Sequence, residues 1–403
     1  MIPVPVDFPV LQSEAAIVLN LDEQGREISD GKVEETGPRV LYEKNVDKEL
    51  PVASLTKMMT VWVVLEKVAD GEVALGDKVT VTGEMLKGLE EFAVAGLVAG
   101  QVWTVEDLLY TAMLPSAGDA AQAVAIYVGG SLERFVAEMN VRAQELGLAQ
   151  TRFTNVVGFD AGNYSTAREM AKILKAALGN EEFGKIFRAK EHYVAPLGKV
   201  VKKTVVETAE KRGIGIEMIT GAKTGYTHAA GRCLASVAVE NGENLLMVNL
   251  GADYTGLGYI EDPVKVYKYL GENYERKEVA AAGEVVWRLP VENSPQGEYE
   301  MKMPKEARVY LPKELSENEL IYGFIGVEKV ADGMKKGEKL GIFTIKWGEQ
   351  IIYATEVGLE EEIYYYNWPL YIGVGTGVIV MVFIGVTFGR RNLRRQKTRH
   401  FRG

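Results

Sequence analysis

The chain has 403 residues, 47% hydrophobic and 25% charged, the composition of a folded protein with room for two or three domains, so global disorder is excluded. Three histidines (His192, His228, His400) and the lone Cys233 exclude an internal disulfide and leave little material for a zinc site, a thiol redox pair or a Ser-His-Asp triad. The formal charge of -10 is uneven: seven arginines and lysines crowd residues 390–403, and without them the remainder stands at -17, an acidic body unsuited to nucleic acid.

The opening "MIPVPVDFPV" has neither the basic start nor the apolar run of a secretion signal, so a signal peptide is expected to have been removed or to be missing upstream. Residues 15–22 ("AAIVLNLD") and 39–45 ("RVLYEKN") read as strands, and the polar stretch between them looks like a long hairpin insertion. Next comes "PVASLTKMMT" (51–60), where a small-residue loop turns into an apolar helical run that continues through Val68 and stops at Gly71. Ser54 and Lys57 lie three residues apart there. Either the serine caps the helix and the lysine faces solvent, or the two are a nucleophile and its base, one helical turn apart on one face. Neither His192 nor His228 sits in a sequence context that arms a serine, so the base would be the lysine. A free lysine near 10.4 must then fall by roughly three pKa units, about 4 kcal/mol against its ammonium form, which burial beside a second cation can supply.

Thr104 and Asp107 open a helix in capping-box fashion, and after a break at Pro115 the run "SAGDAAQAVAIYV" resumes helical character. Further helices follow over 132–147 and 166–179, the second opening with Thr166 and Glu169 in capping spacing. Asp160 and Glu169 invite a glycosidase-like pairing, yet Glu169 fits the cap better. From residue 222 the pattern returns to strands. "GAKTGYTHAAG" places Lys223, the second cation, on a strand, and Asn241-Gly242 marks a hairpin between two β-rich runs. Cys233 falls in an apolar run as a small core residue, and His228 borders the presumptive cleft. Strands, a helical middle and strands again make a mixed α/β domain with an inserted helical lobe, assigned to residues 1–270. Residues 276–362 alternate in short runs broken by Pro and Gly and read as a small all-β domain that spaces the first from a membrane.

That membrane is implied by residues 369–389, which carry no charge and would span roughly 31 Å as a helix against a hydrocarbon core of about 30 Å. Tyr364, Tyr365, Tyr366, Trp368 and Tyr371 precede it as an aromatic belt, and the basic tail, 390–403, follows directly. The positive-inside tendency makes the tail cytoplasmic and the body extracytoplasmic, in a single-pass protein.

Taken together, "YEKNVDKELPVASLTKMMT", "TNVVGFDAGNYSTAREMA" and "KTGYTHAAGRCLA" resemble the serine D-alanyl-D-alanine carboxypeptidases, the low-molecular-mass penicillin-binding proteins, over residues 15–270. "MKKGEKLGIFTI" is more loosely similar to that family's small C-terminal β domain. The resemblance implies a β-lactamase/transpeptidase-like α/β fold, an antiparallel sheet with helices and a helical lobe, followed by the small β domain and the transmembrane helix. It implies acylation of Ser54 by a peptidoglycan pentapeptide ending in D-Ala-D-Ala, Lys57 as proton acceptor, and Ser116 as the serine of a second motif. Lys223 and Thr224 would hold the terminal carboxylate, Gly225 would let the strand approach, and the backbone N–H groups of Ser54 and Tyr226 would receive the oxyanion. β-Lactam antibiotics would be covalent inhibitors, and neither a metal nor an organic cofactor is implied. Two departures stand out: Gly118 occupies the asparagine position of the second motif, and no arginine for carboxylate binding follows the hairpin between Arg232 and Arg276. A D,D-endopeptidase of the same fold, or a non-catalytic cell-wall peptide binder because of Gly118, remain as alternatives. A class A β-lactamase would need a deacylating Glu-x-x-x-Asn loop, and none is evident between the second and third motifs.

Overall fold

The computed structural model describes residues 3–89, 93–159, 162–365 and 368–399. Its centre is a five-stranded antiparallel sheet built from β1 (Ala15–Ser29), β2 (Lys32–Lys44), β3 (Ile219–Thr227), β4 (Gly231–Glu240) and β5 (Glu243–Ala252), in the order β2-β1-β5-β4-β3. Strand periodicity divides its side chains. Ile17, Leu19, Val237, Leu246 and Val248 face one layer, and Ala16, Val18, Ala238, Leu245 and Met247 the other. Both faces are therefore covered, which explains why these strands read as nearly continuous apolar runs.

The first layer is the helical lobe. Helix α1 (Thr56–Ala69) runs through its middle, buried along Thr56–Leu65 and packed by α2 (Val105–Met113), α3 (Gly118–Gly129), α4 (Leu132–Glu145), α5 (Ala167–Ala177) and α6 (Glu181–Arg188). The expected caps are present: Thr104 accepts from the Asp107 N–H at 2.9 Å and Thr166 from the Glu169 N–H at 3.1 Å. The Glu169 carboxylate then holds the Gln150 N–H and the Thr151 hydroxyl, a structural task, and Asp160 lies outside the described residues. A short helix, α7 (Thr204–Arg212), lies against β3, while α8 (Gly258–Asn273) covers the second face of the sheet. Asn241 and Gly242 turn β4 into β5 with φ of 51° and 83°, the conformation an Asn-Gly hairpin favours.

The polar stretch between the first two strands is the long hairpin expected, and only the strand ends move: β1 and β2 continue through it to a tight turn at Asp30-Gly31, so their outer halves reach beyond the sheet. Those outer halves dock on the C-terminal β-rich region. Arg26 donates to the Ile352 carbonyl and sits over the Tyr353 ring, and Gln350 donates to the Val40 carbonyl. The C-terminal region pairs Tyr274–Ala280 with Ala307–Pro312 and Val285–Pro290 with Glu298–Lys302, and it joins Leu320–Gly326, Lys339–Trp347 and Gln350–Gly358 into a third sheet around its own apolar core.

Helix α9 (Trp368–Arg399) contains Ile372–Arg391, long and apolar enough to cross a membrane. Of the aromatic residues before it, Tyr364 is exposed, Tyr365 donates to the Met334 carbonyl and packs on the β-rich region, and Tyr366 lies outside the described residues.

Candidate active site

Ser54 does not cap α1. It sits in a 3-10 turn, Ala53–Leu55, that leads into the helix, and the helix cap position is Leu55, with no side-chain capping bond. The turn holds Ala53 at φ 45°, a left-handed conformation costly for a non-glycine residue, of the kind that persists where surrounding contacts enforce it. Freed from capping, the Ser54 hydroxyl accepts from Lys57 Nζ at 2.9 Å and points its own proton toward the Val157 carbonyl at 3.4 Å. Lys57 also donates to Val157 O at 2.9 Å. Its side chain is 2% exposed, and no carboxylate contacts it among the described residues. Burial pulls it down to about 7, only partly opposed by the charge of Asp119.

The Val157 carbonyl is aimed by local chemistry. Asn155 Oδ1 takes the N–H groups of Val157 and Gly158, while buried Asn163 donates to Thr56 Oγ1 at 2.9 Å and accepts from the Thr154 N–H at 2.8 Å, fastening residues 154–158 beneath α1. Gly158, at φ 79°, is required: a Cβ there would meet the Ala53 carbonyl at 1.9 Å.

Across the cleft, Lys223 donates to Ser116 Oγ at 2.7 Å and to the Thr224 carbonyl at 2.7 Å. It is 1% exposed, and burial first, then the charges of Lys57 and Lys203, hold it well below the ordinary lysine value. Ser116 has φ 65°, a second strained non-glycine position at the site. Gly225 lets β3 press onto the Ser54 turn, since a Cβ would lie 3.0 Å from the Val52 carbonyl and 3.3 Å from the Leu55 nitrogen. The substitution of glycine for an amide at 118 also has a visible setting. The Gly118 N–H donates to the Ala93 carbonyl at 2.6 Å, and Asp119, buried, accepts from the N–H groups of Ala95, Gly96 and Leu97, so this turn anchors the chain over one mouth of the cleft.

The cleft between these walls has a volume of about 290 Å³ and brings together Ser54, Lys57, Ser116 and Thr224–Thr227. Lys223 reaches it through Ser116. The sequence reading missed three participants. The Val157 carbonyl was invisible because a backbone group carries no signature. Lys203 was passed over; it donates to the carbonyls of Phe187 and Ala222 beneath Lys223. Arg232 was sought only after the hairpin, whereas it opens β4, directly opposite Tyr226 in the β3–β4 ladder, and lines the cleft. Its guanidinium lies 5.1 Å from the ring centres of both Tyr226 and Tyr259, and Nε donates to the Tyr254 carbonyl at 2.9 Å. His228 stands at the rim, edge-on to Tyr226 and Tyr254, and Cys233 is buried with its thiol pushed up to about 12 by desolvation, an inert core residue as expected.

Known proteins resemble the part of the chain that holds this cleft. Residues 32–254 fit the peptidase S11 family, described as D-alanyl-D-alanine carboxypeptidase. The D-alanyl-D-alanine carboxypeptidase DacF of Bacillus subtilis is 27% identical over 334 residues, 82% of this chain and 84% of that protein. The crystal structure of the D-alanyl-D-alanine carboxypeptidase DacD from Francisella tularensis superposes with a TM-score of 0.69 at 21% identity over 91% of this chain and 97% of that one, a likeness of fold. Penicillin-binding protein D2 of Listeria monocytogenes, solved in its cefotaxime-bound form, superposes with a TM-score of 0.53 at 25% identity over 64% of this chain and 97% of that one. The chain belongs to the S11 family of serine-type D-alanyl-D-alanine carboxypeptidases.

Proposed function

We propose that the chain removes the terminal D-alanine from peptidoglycan stem peptides through an acyl-enzyme on Ser54. The observation that carries this reading is the 2.9 Å bond between Ser54 Oγ and a buried Lys57 whose pKa lies at about 7, a base available at neutral pH. Ser54 Oγ attacks the carbonyl of the penultimate D-alanine as its proton passes to Lys57 Nζ, and charge develops on the carbonyl oxygen between the N–H groups of Ser54 and Tyr226. Collapse of the intermediate breaks the peptide bond. The departing amine takes up the proton that Lys57 received, relayed through the Ser116 hydroxyl that Lys223 holds, so that Lys57 is neutral again. Water then gives a proton to Lys57 as it attacks the ester, and Lys57 returns that proton to Ser54 Oγ as the acyl group leaves.

The substrate's terminal carboxylate is held by the Thr224 hydroxyl and by Arg232. Lys223 is engaged by Ser116 and the Thr224 carbonyl, which leaves Arg232 as the guanidinium in the open part of the cleft. β-Lactams, whose strained amide stands in for the D-Ala-D-Ala bond, acylate the same serine; the cefotaxime-bound relative supports this. The body works outside the cytoplasmic membrane, anchored by α9, with the basic tail on the cytoplasmic side.

Incubation of the full chain with a fluorescent penicillin and with a pentapeptide ending in D-Ala-D-Ala tests the reading. Covalent labelling and release of free D-alanine, both abolished in Ser54→Ala, are expected. A native protein that takes no label and releases no D-alanine would be a cell-wall peptide binder, and cleavage of cross-linked dimers in preference to the pentapeptide would make it an endopeptidase.

A further inference from the structure

Behind the catalytic strand lies a second and larger cavity, of about 450 Å³, between α7, the 213–217 turn and the first half of β3. Its lining includes the aliphatic Val205, Ala209, Ile214 and Ile219 and the cationic Lys203, Arg188 and Lys190. Lys203 is the informative residue. It is 4% exposed, its ammonium donates to the Phe187 carbonyl at 2.7 Å and the Ala222 carbonyl at 3.0 Å, and it lies over the Phe187 ring. An ammonium has three protons to donate, and these bonds use two. No carboxylate pairs with Lys203, Arg188 or Lys190 among the described residues; of the two acids on the rim, Glu210 is paired with Lys202, and Glu217 folds back toward Gly215. A buried lysine without a counter-ion, beside an aliphatic hollow, is a seat that an organic anion fits, because the anion would hold it protonated.

We propose that this cavity is a binding site for a small aliphatic carboxylate, its head group on Lys203 and its hydrocarbon against Val205, Ala209 and Ile219, and that its occupancy tunes the catalytic cleft. The path between the two sites is short. Lys203 holds the carbonyl of Ala222, the residue before Lys223, and the charge of Lys203 is one of those acting on Lys223. A bound carboxylate offsets the field of Lys203, so that Lys223 keeps its proton, and with it the bond to Ser116, more readily. By linkage, an anion in the rear cavity and an anionic peptide in the cleft strengthen each other's binding. Because burial alone brings Lys203 down to about 7, carboxylate binding near neutral pH also draws a proton onto it.

The test uses the full chain in detergent, isocaproate as the probe and the alcohol of the same carbon skeleton as its neutral counterpart. Calorimetry in two buffers of different ionisation enthalpy reads both affinity and proton uptake. Saturable isocaproate binding with net proton uptake, at least tenfold weaker binding of the alcohol, and loss of binding in both Lys203→Met and the cavity-filling Val206→Trp are expected. Val206 lies off the cleft wall, so Val206→Trp keeps penicillin labelling of Ser54, which checks that it folds. In native protein saturating isocaproate lowers KM for the pentapeptide severalfold, and in Val206→Trp it does not. The proposal is overturned if native protein that labels with penicillin binds no isocaproate, if the alcohol binds equally well, or if folded Val206→Trp binds the acid as native does. These binding readouts need no turnover, so they stand or fall separately from the release of D-alanine.

Discussion

Two groups of buried charged side chains in this molecule are built on opposite principles. At the junction of the main sheet with the C-terminal region, every charge has a partner: Glu23 pairs with Arg39 at 2.5 Å and with Arg276 at 3.3 Å, Arg276 pairs with Glu243 at 2.5 Å, Glu23 accepts the Tyr310 N–H, Asn20 donates to Glu243, and Arg39 donates to the Tyr310 carbonyl. Around the cleft, three buried lysines, Lys57, Lys223 and Lys203, make hydrogen bonds to hydroxyls and carbonyls and no ion pair among the described residues. The paired cluster neutralises its own charge and fixes the C-terminal region on the outer halves of β1 and β2. Unpaired lysines do the reverse: desolvation lowers all three, and brings Lys57 and Lys203 to about 7, where a proton can be passed. Compensation marks a joint, and its absence marks a site of chemistry.

Substitutions that exchange these properties should have effects of sharply different kind. The largest is Lys57→Met, which removes the base and leaves the packing volume: acylation of Ser54 by penicillin in a stopped-time labelling assay should fall by about 10²–10⁴, with little change in the melting temperature. Glu23→Ala does the opposite. It strands Arg39, 1% exposed, without its carboxylate and should cost about 3–5 kcal/mol in denaturant unfolding, while acylation by the protein that remains folded stays near native. Arg232→Leu should lower kcat/KM for the pentapeptide roughly ten- to hundredfold, the loss of about 1.5–3 kcal/mol for a charge-assisted contact. A matching peptide with an amidated terminus should not register the change; an equal loss on both would place Arg232 outside carboxylate recognition.

A pH effect on stability is of a different kind. Lys203 has an unfolded value near 10.5 and a folded value of about 7, so between those limits the unfolded chain holds the proton more often and stability rises with pH. Below about 7 both states are protonated and that contribution is fully lost. Comparing unfolding free energies at pH 7 and pH 10, native protein should gain more on going alkaline than Lys203→Met does; equal gains would show that Lys203 titrates normally.

Much of this was legible in the sequence. The Ser54–Lys57 spacing, the Lys223 strand, the Asn241-Gly242 hairpin and the caps at Thr104 and Thr166 are all local patterns, and each appears where its local chemistry puts it. What escaped were facts of tertiary register. The polar outer halves of β1 and β2 were legible as a hairpin, but not as strands that carry the C-terminal region docked on them. Arg232 becomes a cleft residue only because β4 starts opposite Tyr226, a pairing no linear spacing reveals. Ser54 was credited with a capping option, whereas the Val157 carbonyl, brought in by Asn155 and Asn163 from a hundred residues away, gives its neighbourhood a different purpose.

The pH dependence of the penicillin acylation rate at Ser54 in the native full-length chain is the most direct trial of Lys57 as the base. The rate should climb with pH and reach half its maximum near the value of about 7 that burial gives Lys57. A rise centred near 10.5, where an ordinary lysine loses its proton, or no rise at all, would contradict it.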